Sequence, residues 1–163
     1  MLRLSGLNRK SLEQIIGGKK NMHLKAGDYY IGDLCYVLSD EDYDALVKLI
    51  ISSNKEARWE GYFKGYRVFV APTCYGDGVY ADNDGDEYFV DSGTIGIVPE
   101  ELIDSNNRAD LGQIIEFRTD FEVSYDDGIF IFGDVVIDSK NFGIGAILKN
   151  HLKDEKEEKN AKR

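Results

Sequence analysis

Asp77-Gly78-Val79-Tyr80, followed after a polar break by Val90-Asp91-Ser92-Gly93-Thr94-Ile95-Gly96-Ile97, returns in varied form later in the chain. The second copy reads Asp127-Gly128-Ile129-Phe130, then Ile137-Asp138-Ser139-Lys140-Asn141-Phe142-Gly143-Ile144. A fainter echo relates Tyr29-Tyr30-Ile31-Gly32-Asp33-Leu34-Cys35-Tyr36 to Phe130-Ile131-Phe132-Gly133-Asp134-Val135-Val136-Ile137. Apolar and aromatic pairs beside Asp-Gly or Gly-Asp are the chemistry of antiparallel strands joined by tight turns. The two Asp-Gly units are expected to form equivalent hairpins, the longer first break being absorbed by the acidic turn at 82–86.

Working outward, Gly27–Val37 reads as a strand, a Gly32-Asp33 bend and a second strand. Ser39 stands at capping spacing before Asp42, and Asp40, Glu41 and Asp42 crowd a first helical turn, where the dipole favours negative charge. Tyr43, Leu46, Val47, Ile50 and Ile51 then recur at i, i+3, i+4, i+7 and i+8, which predicts a helix over about 40–53. Tyr62–Ala71 reads as one strand, as do Val79–Ala81, Glu87–Asp91 and Gly93–Val98. Pro99–Asp104 suits a short helix. Ile115, Phe117, Thr119, Phe121 and Val123 alternate as one long strand, which Asp126-Asp127-Gly128 turns into Ile129–Ile137. A last strand or helix is expected at Asn141–Leu148. The fold class is therefore α+β, mainly antiparallel β-sheet built from hairpins, with one principal helix.

The chain of 163 residues is 42% hydrophobic, with ten Tyr and eight Phe, enough for one packed domain. Its net charge of −10 is unevenly spread. Residues 1–21 carry five Lys/Arg and one Glu, and residues 149–163 six Lys/Arg and four Asp/Glu. Of the totals of 20 basic and 30 acidic residues, nine and 25 remain for 22–148, a net −16. Such a core opposes direct nucleic-acid binding, which needs Lys and Arg on phosphates, and favours a basic partner or a cation. The expected organisation is an N-terminal extension at 1–21, an α+β domain at 22–148 and a charged, disordered tail at 149–163. The extension has two readings. Gly17-Gly18-Lys19-Lys20 before Met22 fits a translated ribosome-binding leader with the natural start at Met22, whereas Leu4, Leu7, Leu12, Ile15 and Ile16 have helical spacing. No apolar run is long enough to span a membrane and no secretory signal is evident, so the expected compartment is cytoplasmic, with Cys35 and Cys74 reduced.

Chemistry-bearing residues gather at the bends. Gly32-Asp33-Leu34-Cys35-Tyr36 and Thr73-Cys74-Tyr75-Gly76-Asp77-Gly78 each set Cys-Tyr beside a Gly/Asp bend. The ligand-binding candidates are Asp33, Cys35, Tyr36, Cys74, Tyr75, Asp77 and Tyr80. A nucleophilic cysteine needs a lowered pKa and a base, and His23 and His151 are the only histidines. The alternative is that the cysteines are small buried hydrophobes and the aspartates cap turns. Asp82, Asp84 and Asp86 alternate as in a calcium loop, but Glu87 and Gly93 stand where such a loop needs Gly and Glu, so a polar hairpin turn is the better reading. No cofactor or metal is expected, and no catalytic residue is assigned.

With Gly27–Leu38, Gly76–Tyr80 and Val90–Gly93 the chain resembles uncharacterised small proteins of phages and bacteria. These open with a G-x-Y-Y-x-G-D-x-C-Y-V-L-type segment and carry a later G-D-G-x-Y and V-D-S-G. Leu34 stands where those proteins usually have proline. The resemblance covers about half the chain and implies a genomic neighbourhood rather than an activity. Two functions are expected. The first is a non-catalytic acidic binding protein, a phage-type accessory factor that offers its charge to a basic host protein in competition with DNA or RNA. The second is a small-molecule binder or enzyme built on Cys35, Cys74 and the Gly/Asp bends, with a cleft lined by Tyr36, Tyr75 and Tyr80.

Overall fold

Helix α1, Asp40–Ser52, forms where local chemistry demands it. The Ser39 side chain accepts the Asp42 N–H at 3.1 Å, and Asp40, Glu41 and Asp42 occupy the first turn. Leu46 is the helix residue buried most deeply, against the sheet beneath. The computed structural model describes residues 20–53 and 58–141. The strand or helix expected beyond Asn141, the tail 149–163 and residues 1–19 lie outside the described residues.

Eleven strands and four short 3-10 turns make up the remaining regular structure among the described residues, and every pairing between the strands is antiparallel. They are β1 (Lys20–Leu24), β2 (Gly27–Gly32), β3 (Trp59–Phe63), β4 (Tyr66–Pro72), β5 (Gly78–Ala81), β6 (Glu87–Val90), β7 (Thr94–Pro99), β8 (Gln113–Phe117), β9 (Phe121–Asp126), β10 (Ile129–Phe132) and β11 (Val135–Asp138). A five-stranded sheet has the order β3-β4-β7-β2-β8 and a four-stranded sheet the order β1-β9-β10-β11. Strands β5 and β6 form a separate hairpin. The α+β class, with antiparallel sheets and one principal helix, is thus the observed one.

The central strands of the five-stranded sheet, β4, β7 and β2, are buried on both faces over most of their length, which side-chain alternation makes possible. Phe69, Ala71, Ile95, Ile97 and Ile31 face a core shared with Met22, Val123, Phe130, Phe132 and Ile137 of the four-stranded sheet. Val68, Val70, Val98 and Tyr30 face the opposite way, toward Leu46 of α1 and toward Leu34, Trp59 and Leu102. Two covered faces explain why Val68-Phe69-Val70-Ala71 and Ile95-Gly96-Ile97-Val98 are continuously apolar rather than alternating with polar residues.

Both Asp-Gly units contain a hairpin, β5–β6 and β10–β11, and they touch. Asn83 donates its backbone N–H to the Val136 carbonyl at 3.0 Å, and its side-chain oxygen accepts the Val136 N–H at 3.0 Å. Several local readings are corrected. Residues 62–71 are not one strand: Lys64 and Gly65, at φ 52° and 83°, turn the chain between β3 and β4. A two-residue turn with both φ positive matches strand twist. Residues 115–123 are not one strand either; β8 belongs to the five-stranded sheet and β9 to the four-stranded one. Between them Asp120 accepts the Ala26 N–H at 2.9 Å and the Lys25 ammonium at 3.1 Å, which pins the crossing. Leu34–Tyr36 is a 3-10 turn instead of a second strand. Strand β1 begins at Lys20, with Lys20 opposite Tyr125 and Asn21 opposite Ser124, so it runs across the 21/22 boundary. Among the described residues no helix is long and apolar enough to cross a membrane.

Candidate functional site

The two Cys-Tyr bends converge on one turn, Asp91–Gly93, between β6 and β7. On one side is Asp33, which caps the 3-10 turn by accepting the Cys35 N–H at 3.1 Å. Its other hydrogen bonds reach across the fold. One carboxylate oxygen accepts the Asp91 N–H at 2.8 Å and the Ser92 N–H at 2.6 Å, and the other accepts the Ser92 hydroxyl at 2.8 Å. Asp33 is 0% exposed, and these four donors replace the water it gives up. On the other side, the Thr73 N–H donates to the Gly93 carbonyl at 3.0 Å. Gly93 lies so close to the Gly76–Asp77 backbone that a methyl group there would sit 3.7 Å from the Gly76 Cα and 3.9 Å from an Asp77 carboxylate oxygen.

The repeated Asp-Ser dipeptides therefore fasten the bends. Ser92 of the first unit clamps Gly32–Tyr36 through Asp33. Ser139 of the second unit clamps Thr73–Gly78: its hydroxyl accepts the Cys74 N–H at 3.0 Å and donates to the Gly128 carbonyl. Ser139 is 0% exposed. Sequence reasoning missed the roles of Ser92 and Ser139, although the Val90-Asp91-Ser92 and Ile137-Asp138-Ser139 repeat was the signal that could have found them.

The seven candidate residues separate by environment. Asp33 and Tyr80 are buried, Tyr80 donating its hydroxyl to the Gly76 carbonyl at 2.8 Å. Cys74 is exposed and faces the Asp127–Gly128 turn, with Sγ 3.6 Å from the Asp127 carbonyl oxygen. Tyr75 and Asp77 are exposed, and Tyr36 and Cys35 are half-buried. Both cysteines are free thiols. Burial, then the neighbouring Asp33 carboxylate and the charges of Asp91 and Asp77, push the Cys35 thiol far above its ordinary value. A cysteine so placed is a protonated thiol and a poor nucleophile. Partial burial, then Asp91 and other neighbouring groups including Asp77, push the Tyr36 hydroxyl up as well. His23 lies on β1 beside Glu122, its Nε2 at 3.4 Å from the carboxylate, whereas Cys35 lies past the far end of β2. At the 82–86 turn the Asp82 carboxylate accepts the Asp84 and Asp86 N–H groups at 2.9 and 3.0 Å and the Tyr88 hydroxyl at 2.7 Å, which is turn chemistry. Among the described residues no group of three or more His, Cys, Asp or Glu could hold a metal ion.

Two buried tyrosines give the fold an alkaline limit. Burial and then Asp33 hold the Tyr30 hydroxyl protonated, and burial and then Asp82 do the same for Tyr88, both well above the ordinary 10.0. Because the folded-state values are raised, the stability they contribute is complete below pH 10 and is lost as pH rises above it. With both still protonated in the folded protein at pH 11, their joint contribution to the loss relative to pH 8 is about 3 kcal/mol. Urea denaturation at the two pH values checks this, and Tyr88→Phe should shrink the difference by about 1.5 kcal/mol; a difference that this substitution leaves unchanged would refute it.

In comparison with known proteins, the chain matches no family model, no curated protein and no solved structure.

Proposed function

We propose that this is a non-catalytic binding protein whose surface at Tyr36, Tyr75, Asp77 and Asp91 receives a cationic group of a basic partner. The observation that carries the reading is the convergence of the two Cys-Tyr bends on the Asp91–Gly93 turn. It sets the exposed carboxylates of Asp77 and Asp91 around a half-buried tyrosine. Carboxylates attract a guanidinium or ammonium by charge, and a tyrosine ring adds the attraction of its face. The net −16 of residues 22–148 steers such a partner from a distance. In line with the phage-type resemblance, the partner is a basic host protein met in the cytoplasm, and the charge disfavours direct contact with nucleic acid. The protonated Cys35 thiol and the fully engaged Asp33 support binding over catalysis.

The test is fluorescence anisotropy with a labelled oligoarginine peptide, read against salt. Asp77→Asn with Asp91→Asn should weaken binding about five- to thirtyfold at unchanged melting temperature, from about 0.5–1 kcal/mol per exposed charge pair. Asp84→Asn with Asp86→Asn removes the same charge from the exposed 82–86 turn and should weaken it less than twofold. Equal losses in the two double variants would mean that only net charge matters and would sink the site. Binding of a labelled oligonucleotide would contradict the partner class.

A further inference from the structure

A cavity of about 220 Å3 lies between α1 and the five-stranded sheet. Its apolar walls are Leu46, Val47 and Ile50 of the helix, with Leu34 and Val70 opposite. Ile51, 72% exposed, borders it, so the cavity opens to solvent beside the helix. Its polar lining is Tyr43, Ser92 and Thr94. It includes none of Tyr36, Tyr75 and Tyr80, and it stands independently of the cationic-partner reading.

The hydroxyl protons of Ser92 and Thr94 have a determined direction. Three backbone N–H groups already donate to the Asp33 carboxylate, which therefore accepts the Ser92 hydroxyl proton at 2.8 Å. A serine has one proton to give. Toward Thr94, 2.7 Å away, Ser92 can then only accept, so Thr94 donates. The lone pairs left on Thr94 accept, and neither Ser92 nor Thr94 has a proton left for a ligand. A molecule entering beside them leaves that acceptor unpaired unless it brings a donor.

We propose that this cavity binds a small amphipathic alcohol or phenol, its apolar body among Leu46, Val47 and Ile50 and its hydroxyl donating to Thr94. An apolar cavity of about 150 Å3 accommodates benzene, so this one suits a ligand of about nine non-hydrogen atoms. Sites of this kind combine apolar walls with a few placed polar groups.

The experiment compares 1-phenylethanol with acetophenone, which share a skeleton and a non-hydrogen atom count but differ in having a donor. Each is titrated into the full chain, followed by melting temperature and by 15N–1H spectra. The alcohol should raise the melting temperature saturably and shift the amides of α1 and of Ser92–Thr94, with an affinity about tenfold or more above the ketone's. Thr94→Val, which keeps the shape and removes an acceptor, should bring the alcohol down toward the ketone. Val47→Phe should block both; if that variant does not fold, the Thr94→Val comparison decides. Equal affinity for alcohol and ketone, shifts confined to other parts of the molecule, or no saturable binding by the alcohol would each overturn the proposal.

Discussion

Asp33→Ala is expected to destabilise the protein by about 3 to 5 kcal/mol and to lower its melting temperature by about 10 °C or more. The carboxylate is 0% exposed and accepts four hydrogen bonds, from the backbone of Cys35, Asp91 and Ser92 and from the Ser92 hydroxyl. Removing it leaves those donors facing a hole. Each buried orphan costs about 1 to 3 kcal/mol, and water entering beside the exposed Asp91 relieves part of the sum. Asp33→Asn should cost somewhat less, about 2 to 3 kcal/mol: it keeps the volume but turns an amide NH2 toward N–H groups that need an acceptor. Asp77→Asn, at an exposed carboxylate, should stay within about 0.5 kcal/mol of the parent. Urea denaturation of the three variants checks all of this together. An Asp33→Ala variant within 1 kcal/mol of the parent would mean that the bend is not held by this carboxylate.

Gly128→Ala should cost about 2 to 4 kcal/mol for two separable reasons. Gly128 has φ +83°, where an L-residue loses about 1 kcal/mol or more. A Cβ there would also collide with Cys74 Sγ and lie 2.8 Å from Ser139 Oγ. The Ser139 hydroxyl cannot withdraw freely, since it accepts the Cys74 N–H and donates to the Gly128 carbonyl. Overpacking of this kind costs about 1 to 3 kcal/mol. The collision with the sulfur should vanish when Cys74 is also changed to Ala, while the Ser139 contact and the backbone part remain. A double-mutant cycle should therefore show about 1 kcal/mol or more of favourable coupling between the two changes. Additive losses would mean that the Thr73–Gly78 bend does not rest on the Asp127–Gly128 turn.

These two positions show how far composition and spacing reach. Asp33 and Asp77 look alike in sequence, each beside a glycine and a Cys-Tyr pair. Their difference, one buried under four donors and the other exposed, arises from residues 91 and 92, far along the chain. The echo between Ile31-Gly32-Asp33 and Phe132-Gly133-Asp134 diverges for the same reason. Gly133-Asp134 is a hairpin turn with an exposed aspartate, whereas Asp33 caps a 3-10 turn and is enclosed. Of the candidate site, the two bends and their aromatic and acidic content were readable, and so was the pair of Asp-Ser repeats. That Ser92 and Ser139 each clamp one bend was not, because a hydrogen bond across 59 or 65 residues leaves no periodic mark.

Helix α1 was legible because its determinants are neighbours: a capping serine, three acids in the first turn, and apolar residues on one face. The antiparallel class was legible too, from alternating apolar residues punctuated by Gly and Asp. Alternation could not say where a strand stops. Residues 62–71 and 115–123 keep a period of two through their breaks, and the breaks come from a positive φ at Lys64 and from Asp120 bonded to the chain at Lys25 and Ala26. Which sheet a strand joins depends on which apolar faces meet once the chain is compact, and that is a sum over contacts distant in sequence. Local chemistry thus chose the helix and the turn-rich β class. Long-range packing chose the order of the two sheets, the burial of Asp33 rather than Asp77, and the meeting of the Cys-Tyr bends, because burial and non-local hydrogen bonds exist only after the chain has closed on itself.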